Sequence, residues 1–115
     1  MNQDRNGEAI DHFSEALRIN PSFVPAHNNL GLAFMNQNQP EKAIAHFSEA
    51  LRIQPGQPDV INNLGIALMD CKRNSEAVTC FTEALRINPS DQKARQYLAA
   101  AIANQRRSGK SVSAG

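Results

Sequence analysis

At 115 residues, 41% apolar and 20% charged, the chain is long enough to bury roughly two-thirds of its unfolded surface in one core and too short for two independent cores. Twelve Lys and Arg against eleven Asp and Glu leave a net charge of +1, which excludes a general electrostatic field for nucleic acid or an anionic membrane. Cys71 and Cys80 are too few for a disulfide framework and form no Cys-x-x-Cys pair, so both read as small, half-buried apolar residues.

The opening Met1 to Asn6 is polar and lacks the apolar core of a secretory signal, and no stretch approaches the ~18 apolar residues of a membrane span. The expected location is therefore the cytoplasm. Ala9, Phe13 and Ala16 fall at i, i+4 and i+7, predicting a helix around Glu8 to Ile19 that Pro21 closes. His27, Leu30, Gly31 and Phe34 then mark a helix beginning near Pro25, and Ala43, Phe47 and Ala50 mark another that ends at Pro55. The pattern recurs with Ile61, Leu64, Gly65 and Leu68 after Pro58, and with Ala77, Phe81 and Ala84 before Pro89. Arg95, Leu98, Ala99 and Ile102 mark a last helix from Gln92 to about Gln105. The small, polar residues 108–115 are expected to be disordered, and Arg106, Arg107 and Lys110 are too few, with no interleaved aromatic, for a nucleic-acid patch.

The word Phe-x-Glu-Ala-Leu-Arg-Ile-x-Pro begins at Phe13, Phe47 and Phe81, each 34 residues after the last, and Asn-Asn-Leu-Gly begins at Asn28 and Asn62 at the same interval. A fixed period spanning two different helices is the mark of a repeat array. Leu30-Gly31, Phe34, Ala43, Phe47, Ala50 and Pro55 in one unit, and Leu64-Gly65, Leu68, Ala77, Phe81, Ala84 and Pro89 in the next, resemble the tetratricopeptide repeat family. His27 and Ile61 stand where that family often has tryptophan, and Asn38 and Lys72 fill a turn often given to glycine. The resemblance implies an all-α fold, a right-handed superhelical solenoid of antiparallel helix pairs. Its repeat domain would cover 1–107, with the second helix of a partial repeat at 7–21, complete repeats at 24–55 and 58–89, and a capping helix at 92–105.

In this register Met1 falls where a first helix should be ending. The first unit would then expose an apolar face around Ile10, Phe13 and Leu17, as expected of a cut from a longer array or of a helix that pairs with another copy.

Catalysis finds little support. His12 and His46 occupy equivalent sites of successive repeats, too far apart for one metal ion, and His27 reads as a packing residue. Glu49 and Glu83 each have an arginine three residues on, Arg52 and Arg86, as in solvated helix-face pairs. The sequence has no phosphate-binding Gly-rich loop, nucleophile elbow or zinc helix, so no catalytic residue, metal or cofactor is assigned.

The informative positions are those on the first helices that the packing stripe leaves over. They are Asn28, Asn29, Leu32, Met35 and Asn36, then Asn62, Asn63, Ile66 and Met69 with Asp59 and Asp70 beside them, then Lys93, Gln96 and Tyr97. In folds of the resembled family this side lines a concave groove that takes an extended polypeptide. Asparagine can donate to and accept from a peptide backbone, while methionine and leucine adapt to varied side chains. Asn29 and Asn63 resemble the asparagine ladder of related arrays, including that of the O-linked N-acetylglucosamine transferase. The alternative is that they solvate a helix face or hydrogen-bond to the neighbouring helix, although Asn-Asn inside helices sacrifices propensity.

A clamp for a terminal carboxylate, known in part of the family, is incomplete. Asn63 and Lys93 fit it, but Asn28, Leu32 and Tyr97 stand at three of its other positions. The sequence thus predicts a non-catalytic interaction scaffold for a protein or extended peptide, with no nucleic-acid or membrane partner. The alternatives are a self-assembly module joined through Ile10, Phe13 and Leu17, or the substrate-recruiting segment of a larger enzyme such as a glycosyltransferase.

Overall fold

The computed structural model describes the backbone of residues 2–114 and the side chains of 5–107. It contains six helices: α1 (Asn2–Ile19), α2 (Val24–Asn36), α3 (Pro40–Ile53), α4 (Pro58–Asp70), α5 (Asn74–Ile87) and α6 (Gln92–Ala114). No strand occurs among the described residues.

Local chemistry sets the helix boundaries. Proline occupies the first turn of α2, α3 and α4, where its missing N–H would be unpaired anyway. The ends of α2 and α4 are alike. Asn38 and Lys72, 34 residues apart, adopt φ of 59° and 62°, a left-handed conformation that accounts for the glycine the resembled family often has at this turn. The following amides fold back over the helix ends, Gln39 N–H to Phe34 C=O at 2.9 Å and Arg73 N–H to Leu68 C=O at 2.8 Å, so the last carbonyls are satisfied. α6 opens differently: Asp91 Oδ1 accepts the Ala94 N–H at 3.1 Å and caps the helix. Its backbone stays helical to Ala114, past the end near Gln105 that the sequence suggested. The side chains of the tail expected to be disordered, 108–115, lie outside the described ones.

Each repeat closes around a phenylalanine. Phe47 and Phe81 are wholly buried, among Ala43, Ala50, Val60 and Ala67 in one case and Leu68, Ala77 and Ala101 in the other. Their rings lie directly on Gly31 and Gly65. A Cβ at Gly65 would sit 2.6 Å from the Phe81 ring, and one at Gly31 would overlap the Phe47 ring in the same way. Glycine is needed there for contact distance rather than for backbone freedom. Phe13, at the equivalent place in the first unit, is only half-buried.

Packing is sequential, each helix against the next. The first helices also come close across repeats, α2 to α4 and α4 to α6, whereas among the described residues the backbones of α1, α3 and α5 make no such approach to one another. The array therefore bends with α2, α4 and α6 on its inner side, as a tetratricopeptide-type superhelix does. The molecule measures 50 × 30 × 22 Å, and its radius of gyration of 15.3 Å exceeds the ~13 Å expected of a compact globule of this length.

Candidate functional site

The inner face is tied together by amides. Asn63 Nδ2 on α4 donates to Asn28 Oδ1 on α2 at 3.2 Å, so part of the asparagine array links neighbouring helices. Asn62 is buried, 6% exposed, and donates its Nδ2 to Asp91 Oδ2 at 2.7 Å. Asp91 is thereby held from two sides, since its other oxygen caps α6. The Ala94 N–H and then the Asn62 amide hold its carboxyl below the usual aspartate value.

Asp59, Asn62, Asn63, Ile66, Lys93 and Tyr97 line one cleft of about 150 Å³ between α4 and α6. Tyr97 lies nearly parallel to Phe81, centroids 5.6 Å apart, so the same ring covers the core and walls the cleft. The other expected groove residues are not gathered there. Met69 lines a second cleft of about 530 Å³ with Asp70, Lys72, Asn74, Asn104 and Arg107, and Asn36 sits at the α2–α3 turn. Leu32 is exposed at 40%, whereas Met35, Ile66 and Met69 are half-buried against the core and have only part of their surface free. Asn29 is half-buried and Gln96 exposed. Asn62 needs correction as a free groove donor, because its amide nitrogen is already held by Asp91.

A second group escaped the sequence reading. His27 Nε2 lies 2.9 Å from the Pro21 carbonyl, and its Nδ1 lies 3.3 Å from His46 Nδ1. A carbonyl only accepts, so the His27 Nε2–H donates to Pro21, while the Nδ1 atoms of the two histidines share one hydrogen bond. His46 also stacks on Phe34, centroids 5.6 Å apart, and burial followed by the nearby His27 pushes its pKa down. The repeat reuses the position: Arg95, 68 residues after His27, donates to the Pro89 carbonyl at 2.8 Å, whereas Ile61 between them has no donor for Pro55. These contacts tie α2 and α6, but not α4, to the loops before them. Only the 34-residue register relating His27 to Arg95 could have signalled the role.

Both cysteines are free and half-buried. Burial, with Glu76 adding to it, pushes the Cys80 thiol up to about 11, far from a reactive thiolate. The exposed pairs Glu15–Arg18, Glu49–Arg52 and Glu83–Arg86 recur with the repeat at 2.5, 2.6 and 2.6 Å. Among the described residues no group of three His, Cys, Asp or Glu could hold a metal, and no helix is long and apolar enough to cross a membrane.

Comparison with known families agrees with this geometry. The tetratricopeptide repeat model matches residues 24–57 and 58–91, and a related TPR repeat model matches 1–38. The chain belongs to the tetratricopeptide repeat family. Comparison with curated protein sequences gives no match.

Among solved structures it is similar to the first TPR domain of human RPAP3, with a TM-score of 0.88 at 17% identity over 95% of this chain and 86% of that one. The first TPR of Spaghetti (RPAP3) bound to the HSP90 peptide SRMEEVD gives 0.82 at 18% over 86% and 79%. The TPR domain of OM64 from Arabidopsis gives 0.81 at 20% over 85% and 81%. At these identities the likeness is one of fold.

Proposed function

We propose that this chain is a non-catalytic interaction module that holds an extended polypeptide segment along the face formed by α2, α4 and α6. The observation that carries the reading is the polar cleft between α4 and α6, continuous through Asn63 with the amide bridge to Asn28 on α2. Asparagines along such a face can bond a peptide backbone in either sense, and the half-free Met35, Met69 and Ile66 offer shallow apolar footholds. The similar domain of Spaghetti is bound to a peptide, which supports a peptide as the class of partner here.

Replacing both Asn29 and Asn63 with alanine is expected to weaken a peptide selected from a random library about tenfold, the equivalent of two net hydrogen bonds. Helical content by circular dichroism should be kept. Unchanged affinity would remove the ladder role from these two residues.

A second reading is favoured by Phe13. It is half-buried where Phe47 and Phe81 are sealed, Ile10 and Leu17 on the same helix are half-buried as well, and copies would associate through the surface these three leave free. Light scattering over a dilution series should then show a dimer or larger species that dissociates when Phe13 is made polar; a monomer at every concentration rejects it.

A further inference from the structure

We infer, on the groove reading above, that the cleft between α4 and α6 is built to take an arginine side chain of the bound segment rather than a carboxylate. A carboxylate only accepts, so Asp91 compels the Asn62 carboxamide to turn its Nδ2 towards it. Asn62 Oδ1 is left buried without a partner, although the residue is only 6% exposed.

The repeat register explains why. One unit earlier, Asn28 Oδ1 accepts from Asn63 in the following repeat; one unit later, the residue 34 positions after Asn63 is Tyr97, which has no amide to offer. Asn63 donates one Nδ2 hydrogen to Asn28, which leaves its oxygen and one N–H for a ligand.

The cleft therefore offers the Asp59 carboxylate, the Asn63 oxygen and the face of an aromatic ring, with the buried, unpaired Asn62 oxygen in its wall, against the Lys93 ammonium, the Tyr97 hydroxyl and the one N–H that each carboxamide keeps as donors. Guanidinium matches this inventory: it carries five N–H donors and no acceptor, and its plane stacks on aromatic rings. Lys93 opposes it, but that ammonium is exposed on a flexible stem near Asp91, whose carboxyl it helps to keep ionised. A carboxylate would instead meet Asp59 and the two oxygens. This is the reverse of a terminal-carboxylate clamp, even though Asn63 and Lys93 stand at positions such a clamp would use.

The test uses short peptides capped at both ends, identical but for one central residue that is arginine, citrulline, lysine or glutamate. Each is titrated into the isotopically labelled chain, with the side-chain amides of Asn62 and Asn63 observed by NMR. Arginine should bind roughly tenfold tighter than its neutral isostere citrulline, a difference of one strong charge-assisted contact, and should shift both amides. Asp59→Asn should abolish the preference, and Lys93→Ala should tighten arginine binding, whereas a carboxylate clamp would lose affinity.

Equal binding of all four peptides overturns the inference and leaves the groove reading standing. A glutamate preference, or weaker arginine binding in Lys93→Ala, also overturns it. No shift at the two amides with millimolar arginine peptide removes the arginine cleft, and the groove is then judged separately by the Asn29 and Asn63 double variant.

Discussion

Replacing Phe81 with alanine is expected to destabilise the domain by about 3–5 kcal/mol, the usual loss for a large aromatic removed from a sealed core. The ring is wholly buried, lies on Gly65 and carries Tyr97 on its side, so the cavity cannot collapse without moving α4 and α6. Against a domain stability of about 5–15 kcal/mol the variant should be near unfolding, with a melting temperature lowered by roughly 10–20 °C. The matching substitution at Phe13 should cost much less, because that ring is only half-buried. Calorimetry on the two variants checks both claims. An equal loss at Phe13 would mean that its face is covered in solution, as the self-association reading requires.

The second large effect is expected at Asp91. Alanine there removes the cap of α6, worth about 1 kcal/mol, and strands the buried Asn62 amide, worth about 1–3 kcal/mol more. Denaturant unfolding should show a combined loss of about 2–4 kcal/mol. It should shrink to the cap alone when Asn62 is also replaced by leucine, because no buried donor then remains unpaired.

The carboxyl titrates below its ordinary value in the folded chain, so its contribution is complete above the unfolded value of 3.8 and is lost as the pH falls through the lower folded one. Acid unfolding of the parent should therefore have a component in that window that Asp91→Ala lacks. Identical acid profiles for the two proteins would show that Asp91 is not held as described.

What the sequence made legible follows from periodicity. Gly31 under Phe47 and Gly65 under Phe81 could be anticipated, because residues repeating every 34 positions on a helical stripe must meet in the same way in each unit. The left-handed turns at Asn38 and Lys72 were legible for the same reason: two residues at the family's glycine position inherit its backbone whatever their side chains prefer.

The rest depended on contacts between residues that break the repeat. Asn62 looked like its groove-facing equivalent Asn28, but the residue that seizes it, Asp91, has Gln57 and Phe23 as its counterparts in the other units. His27 meeting His46 also needed side-chain rotamers that no spacing specifies. α6 runs past its expected end, and Arg106, which stands where Asn38 and Lys72 turn the chain, stays helical.

The strictly sequential packing has a kinetic consequence. With nearly every tertiary contact made between helices adjacent in the chain, little loop entropy must be surrendered before native contacts form, so folding should be fast for a domain of this length. Structure can start on either phenylalanine-centred pair and spread outward, and unfolding can begin by fraying at one end while the α4–α5 centre persists. Amide protons would then exchange in a gradient along the chain, slowest around Leu68 and Phe81 and fastest in α1, which among the described residues packs against α2 alone.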